Sequence, residues 1–156
     1  MTISPTLRQI LITVSAISLA VLFCYTATAK LINYRDFTGS MMKQELPLWA
    51  KTVLLKTLPF VEYSTVVLLS FGRTRKLGFI VSTVLMTAFT IYIFLGLAHL
   101  FPHVPCTCGG VLESLTWQTH FIFNLFFLGA GILGLRLNTK ASSTRPTPSE
   151  QIPTYT

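Results

Sequence analysis

Apolar residues dominate four stretches of this chain, and the charged residues fall mostly between them. The first stretch, residues 10–29, holds no charge and lies between Arg8 and Lys30. About 20 mainly apolar residues suffice to cross a bilayer, so this run predicts a spanning helix. Ala27-Thr28-Ala29 has the look of a signal-peptidase site. The run is nevertheless longer than a signal core of roughly 7–15 residues, and a retained span is expected. Bulky Leu22 and Phe23 before Cys24 speak against lipoprotein processing. The third run, residues 77–101, has no charged residue inside it. The fourth, residues 117–137, carries Gly129, Gly131 and Gly134, which would let another helix approach closely.

The second run, residues 49–71, is less uniform, because it contains Lys51, Lys56, Pro59 and Glu62. Residues 46–58 read as an amphipathic approach whose lysines snorkel toward headgroups. Pro59 would then kink or restart the helix. The expected fold is an all-α membrane protein, a bundle of four transmembrane helices filling residues 1–137. The Ser-, Thr- and Pro-rich tail, residues 138–156, is expected to be disordered.

Composition agrees with this pattern. Half of the chain, 51%, is hydrophobic, only 11% is charged, and the mean hydropathy is +0.62. Soluble domains carry about a quarter charged residues, so this much apolar surface points to lipid as well as to a core. The net charge of +7 does not imply nucleic acid. The basic residues sit mostly between the apolar runs, where they set topology and meet anionic headgroups. Arg73, Arg75 and Lys76 crowd one tight turn, on the same side as Arg8, Arg136, Lys140 and Arg145. The positive-inside rule then places both termini in the cytoplasm of a multi-pass inner-membrane protein. Residues 102–116 would face the periplasm, where disulfides persist.

That loop carries the most informative chemistry, Pro105-Cys106-Thr107-Cys108-Gly109-Gly110. Two cysteines one residue apart can pair only in a small ring, and strain makes a disulfide easier to reduce. Exchange therefore suits the pair better than stapling. Two alternatives remain: a metal site and two incidental thiols. His99, His103 and His120 could lie near the pair, and Cys and His are standard zinc and copper ligands. No second Cys pair or His-rich tract completes a ligand set, so no metal site is assigned. His120 shares a helix face with Trp117 and Asn124 at i, i+3 and i+7. It is read either as part of the redox site or as a bond to a neighbouring helix.

Glu62 would lie near the membrane centre, where a charged acid costs on the order of 3 kcal/mol. It must be protonated or hydrogen-bonded within the bundle, with Lys30, Tyr92 and Asn124 as partners to choose from. It is either a structural clamp or a group with a part in proton or quinone chemistry. Cys24 is expected to be a small packing residue.

Several of these segments together resemble the MauE branch of the DoxX-like membrane proteins. They are Phe23-Cys24-Tyr25-Thr26-Ala27-Thr28-Ala29-Lys30-Leu31, Leu58-Pro59-Phe60-Val61-Glu62, the Cys-pair loop, and Trp117-Gln118-Thr119-His120-Phe121-Ile122-Phe123-Asn124. The resemblance covers residues 10–137. Ala27 stands where the DoxX pattern commonly has glycine. The resemblance implies a four-helix inner-membrane protein of methylamine utilisation that assists disulfide formation. Cys106 and Cys108 would then exchange with a periplasmic thioredoxin-like protein or client. A quinone in the bundle is the candidate electron acceptor, although no sequence motif marks its site. A non-catalytic assembly subunit and a metal-handling membrane protein are the rival readings.

Overall fold

The computed structural model describes residues 4–44, 46–98 and 117–143. Five helices occupy them in chain order: α1 (Pro5–Ile32), α2 (Tyr34–Met42), α3 (Leu48–Ser70), α4 (Arg75–Leu97) and α5 (Trp117–Ser143). No strand occurs among the described residues. Four of the helices, all but α2, are long and apolar enough to cross a membrane.

Each boundary has a local cause. Ser4 caps α1 by accepting a hydrogen bond from the Leu7 N–H at 3.3 Å, and Pro5 follows in the first turn, where its missing N–H costs nothing. Asn33 ends α1, its N–H bonding Ala29 O at 2.9 Å. At the α3–α4 turn, the last carbonyls of α3 would otherwise lack donors. Thr74 Oγ1 donates to Leu68 O at 3.0 Å, and Arg75 Nε donates to Leu69 O at 3.3 Å.

The burial pattern is the reverse of a soluble bundle's. A helix in water turns its apolar stripe inward. Here Val14, Ile17 and Val21 of α1 stand exposed, as do Phe60 of α3 and Phe126 of α5. Lys30, Glu62, Thr65, Ser82, His120 and Asn124 are buried. Lipid accounts for both halves of this pattern. Cys24 continues the outward stripe of α1 and is exposed. The packing role expected for it is therefore corrected: a position three residues past Val21 falls on the same outward face.

The four long helices form a ring. α1 packs on α3 and α5, and α4 packs on the same two, with little contact across the diagonals. Arg8 ties the two terminal helices together, donating to Leu137 O through Nε at 3.1 Å and Nη2 at 2.9 Å. Both ends of the described chain thus lie at one end of the bundle. Toward that end the interior is filled by Ile12, Ala16, Leu19, Phe23, Leu69, Phe79, Met86 and Leu137.

Two of the three expected glycine approaches are present. A Cβ on Gly134 would overlap the ring of fully buried Phe79, and one on Gly131 would press on Thr83, but Gly129 has open space around it. The closest backbone approach is at Gly78, where a Cβ would lie 2.8 Å from Leu69 N. Gly78→Ala should therefore destabilise the bundle by about 1–3 kcal/mol. Gly129→Ala should be neutral or slightly stabilising. Unfolding of the purified protein by a denaturing detergent measures both, and equal losses at the two positions would refute this packing.

Three elements depart from expectation. Pro59 neither interrupts nor restarts its helix, since α3 runs unbroken from Leu48 to Ser70. α2 is additional; its sequence is mostly polar, and it forms where Phe37 and Met41 bury against Leu55 and Leu58 of α3. α5 continues to Ser143, past the expected end at 137.

Candidate functional site

Away from the termini the bundle is hollow. A cavity of about 300 Å³ lies among α1, α3, α4, α5 and the segment after α2. Its walls are mostly apolar, with Leu22, Phe23, Leu54, Leu58, Met86, Phe89, Ile93 and Phe123 prominent. Into it converge Thr26, Lys30, Gln44, Glu62, Tyr92, His120 and Asn124.

The helical period puts these groups there. On α1 the inward stripe runs Leu19, Phe23, Thr26, Lys30, in steps of three and four residues. On α3 it runs Leu55, Leu58, Glu62, Thr65, Leu69. Lys30 and Glu62 meet where the two stripes face each other. Lys30 Nζ lies 2.8 Å from Glu62 Oε1 and 3.1 Å from Oε2, and donates a weaker bond to Thr26 O at 3.4 Å. Lys30 is 3% exposed and Glu62 is 1% exposed. Beside them Thr28 Oγ1 and Tyr63 Oη are hydrogen-bonded at 2.7 Å, a second polar link between α1 and α3.

The sequence offered three partners for Glu62, and the structure selects Lys30. An ammonium two residues from the end of α1 reads in sequence as a flanking charge. In the structure it turns inward because the carboxylate gives it a partner inside the bundle. Either charge alone within the span would be costly, and together they form a neutral unit. Tyr92 and Asn124 line the same cavity without being the ion-pair partner.

On α5, His120 and Asn124 are one turn apart and both buried. Asn124 Nδ2 donates to His120 O at 3.0 Å. His120 is three residues from the start of α5 and Lys30 is two from the end of α1, so the polar cluster occupies the half of the bundle away from the termini. Of the expected site residues, the structure brings Glu62 and His120 to one cavity. Cys106 and Cys108 lie outside the described residues, as do His99 and His103. Among the described residues no cluster of three or more His, Cys, Asp or Glu could hold a metal ion.

Thr26, Gln44 and Phe89 also line the cavity and were not singled out from sequence. Thr26 had a legible signal, since it continues the stripe that carries Phe23 and Lys30. Gln44 had none, because its burial depends on how the short segment after α2 folds back.

A family model, methylamine utilisation protein MauE, matches residues 8–137. The match runs from the first turns of α1 through most of α5, and takes in the cavity residues and the Cys pair. No curated protein and no solved structure gives a match. With most of its length covered by that one model, the chain belongs to the MauE family.

Proposed function

We propose that this chain is a methylamine-utilisation membrane protein that takes part in thiol–disulfide exchange on the extracytoplasmic side of the inner membrane. The observation that carries the reading is the Cys106-Thr107-Cys108 pair lying inside the family match. The wider kinship with DoxX-like membrane proteins belongs to the same proposal. It rests on the segment ending α1 and on Leu58-Pro59-Phe60-Val61-Glu62.

In the exchange, a client or thioredoxin-like thiolate attacks one sulfur of the Cys106–Cys108 disulfide. A mixed disulfide forms and the other cysteine leaves as a thiolate. A second client thiolate then displaces the first bond, so that the client gains a disulfide and the pair becomes a dithiol. The pair must pass two electrons and two protons to an acceptor before it can act again.

Redox titration with mass-shift thiol labelling tests the core of this reading. Cys106 and Cys108 should interconvert between dithiol and disulfide, with a relatively high reduction potential because the ring is small. Thiols that stay reduced under oxidising poise would overturn it. Orientation has its own test, run in chains otherwise free of cysteine. An impermeant thiol reagent applied to intact cells should label Glu113→Cys and spare Arg73→Cys. The opposite pattern would put the pair in a reducing compartment.

A further inference from the structure

We infer that the cavity beside the Lys30–Glu62 pair binds the ring of a lipid-soluble quinone. Three features of the cavity define its ligand: the way in, the charge it tolerates and the hydrogen bonds it offers.

The way in is through lipid. Ala88 forms part of the cavity wall and is exposed on the surface of α4. It stands about 20 Å from the Arg75 end of that helix and about 14 Å from the Leu97 end, at 1.5 Å per residue. An opening at that depth faces hydrocarbon. It admits molecules dissolved in the membrane before molecules dissolved in water.

The charge is neutral. Among the described residues on the cavity wall the only ammonium, Lys30, places all three of its donors, two on the Glu62 carboxylate and one on Thr26 O. Among the described residues that line the cavity, no ammonium or guanidinium is left over to hold the carboxylate of a fatty acid or the phosphate of a phospholipid. The ligand is an uncharged lipophile.

The hydrogen-bonding capacity comes from Asn124. It is 5% exposed and lines the cavity. Its one hydrogen bond uses a single N–H, donated to His120 O. That carbonyl can only accept, so it fixes which end of the amide is nitrogen. Among the described residues the second N–H and Oδ1 have no further partner. Among the described residues no fully buried polar atom is left without a partner, so Oδ1 is open to the cavity that the residue lines, and the second N–H stands beside it on the same planar amide. One donor and one acceptor side by side suit a group that is a carbonyl in one oxidation state and a hydroxyl in the other. The N–H would bond a quinone C=O, and Oδ1 would accept from the quinol O–H. Phe23, Phe89 and Phe123 supply flat apolar wall for the ring, and the volume is at the lower end of the range for small-molecule sites.

In the exchange proposed above, on which this last step rests, two electrons and two protons pass from the Cys106–Cys108 dithiol. The quinone becomes quinol and the pair becomes a disulfide.

The test is equilibrium binding of decylubiquinone and of a short-chain menaquinone analogue to the purified full chain in nanodiscs. Saturable binding of either is expected, and the two titrations show which ring type the cavity takes. Asn124→Leu should weaken binding about tenfold or more, which is what one buried hydrogen bond is worth. Ala88→Phe, which puts a ring into the cavity wall, should weaken binding by taking up part of the space and leaves the polar cluster untouched. Thermal unfolding of each variant confirms that it is folded. Binding should persist in a chain carrying both Cys106→Ser and Cys108→Ser. If that chain binds quinone and the wild-type dithiol is never oxidised by it, the exchange reading fails and the site stands. If neither quinone binds the wild type, or if Asn124→Leu and Ala88→Phe both bind as well as the wild type, the site is refuted.

Discussion

Lys30→Met alone should lower the stability of the bundle by about 3–5 kcal/mol, and Glu62→Gln alone should cost a similar amount. The double variant Lys30→Met with Glu62→Met should recover most of that loss. The asymmetry follows from burial. The two side chains are 3% and 1% exposed, so removing either partner leaves the other charge, or its unmet donors, inside a membrane-spanning bundle. Removing both leaves apolar groups of similar length in an apolar wall. A double-mutant cycle, read by detergent-induced unfolding, isolates the coupling. A double variant as unstable as the sum of the singles would show that the pair is not the contact that holds α1 to α3.

The same cycle decides what Glu62 is for. A double variant that folds and works like the wild type makes the pair a structural clamp. One that folds and fails assigns the carboxylate or the ammonium a part in the chemistry of the cavity. Glu62→Gln by itself cannot separate these outcomes, because it strands Lys30.

The second large effect is functional. Cys106→Ser and Cys108→Ser should each abolish methylamine-dependent growth in a complementation assay while leaving the protein in the membrane. Both positions lie in the sequence between the end of α4 and the start of α5. A chain with one cysteine left can still attack a disulfide, but it has no resolving thiol. It should therefore accumulate a mixed disulfide with its partner, visible as a reducible shift on non-reducing gels. Normal growth of either single variant would refute the exchange mechanism.

Much of the architecture was legible because a bilayer imposes strong rules on sequence. Residues 10–29 and 77–101 could hardly be anything but spans, and α1 and α4 contain most of both. Glu62 stood out because an acid in such a run demands a partner. The identity of that partner was not legible, since Lys30, Tyr92 and Asn124 were all compatible with the helical period. Only the facing of α1 and α3 chooses among them. α2 was invisible for a related reason: its order comes from Phe37 and Met41 meeting α3, a tertiary contact that local composition does not announce. Pro59 was read as a kink or a restart, and the unbroken course of α3 overturns the restart. Cys24 misled in turn because an apolar residue in a membrane helix is as much at home facing lipid as facing a core.

The ion pair also bears on how the chain is made. α3 is the least apolar of the four spans, and it carries Lys51, Lys56 and Glu62. Taken singly it is a poor candidate for partitioning out of the translocon. α1 is synthesised first and is the most apolar of the four, and it presents Lys30 on the face that α3 will meet. A helix that passes into lipid beside α1 meets a counter-charge there and can do so as half of a neutral couple. Lys30 precedes Glu62 in the chain, so the counter-charge is already synthesised when the acid has to be hidden.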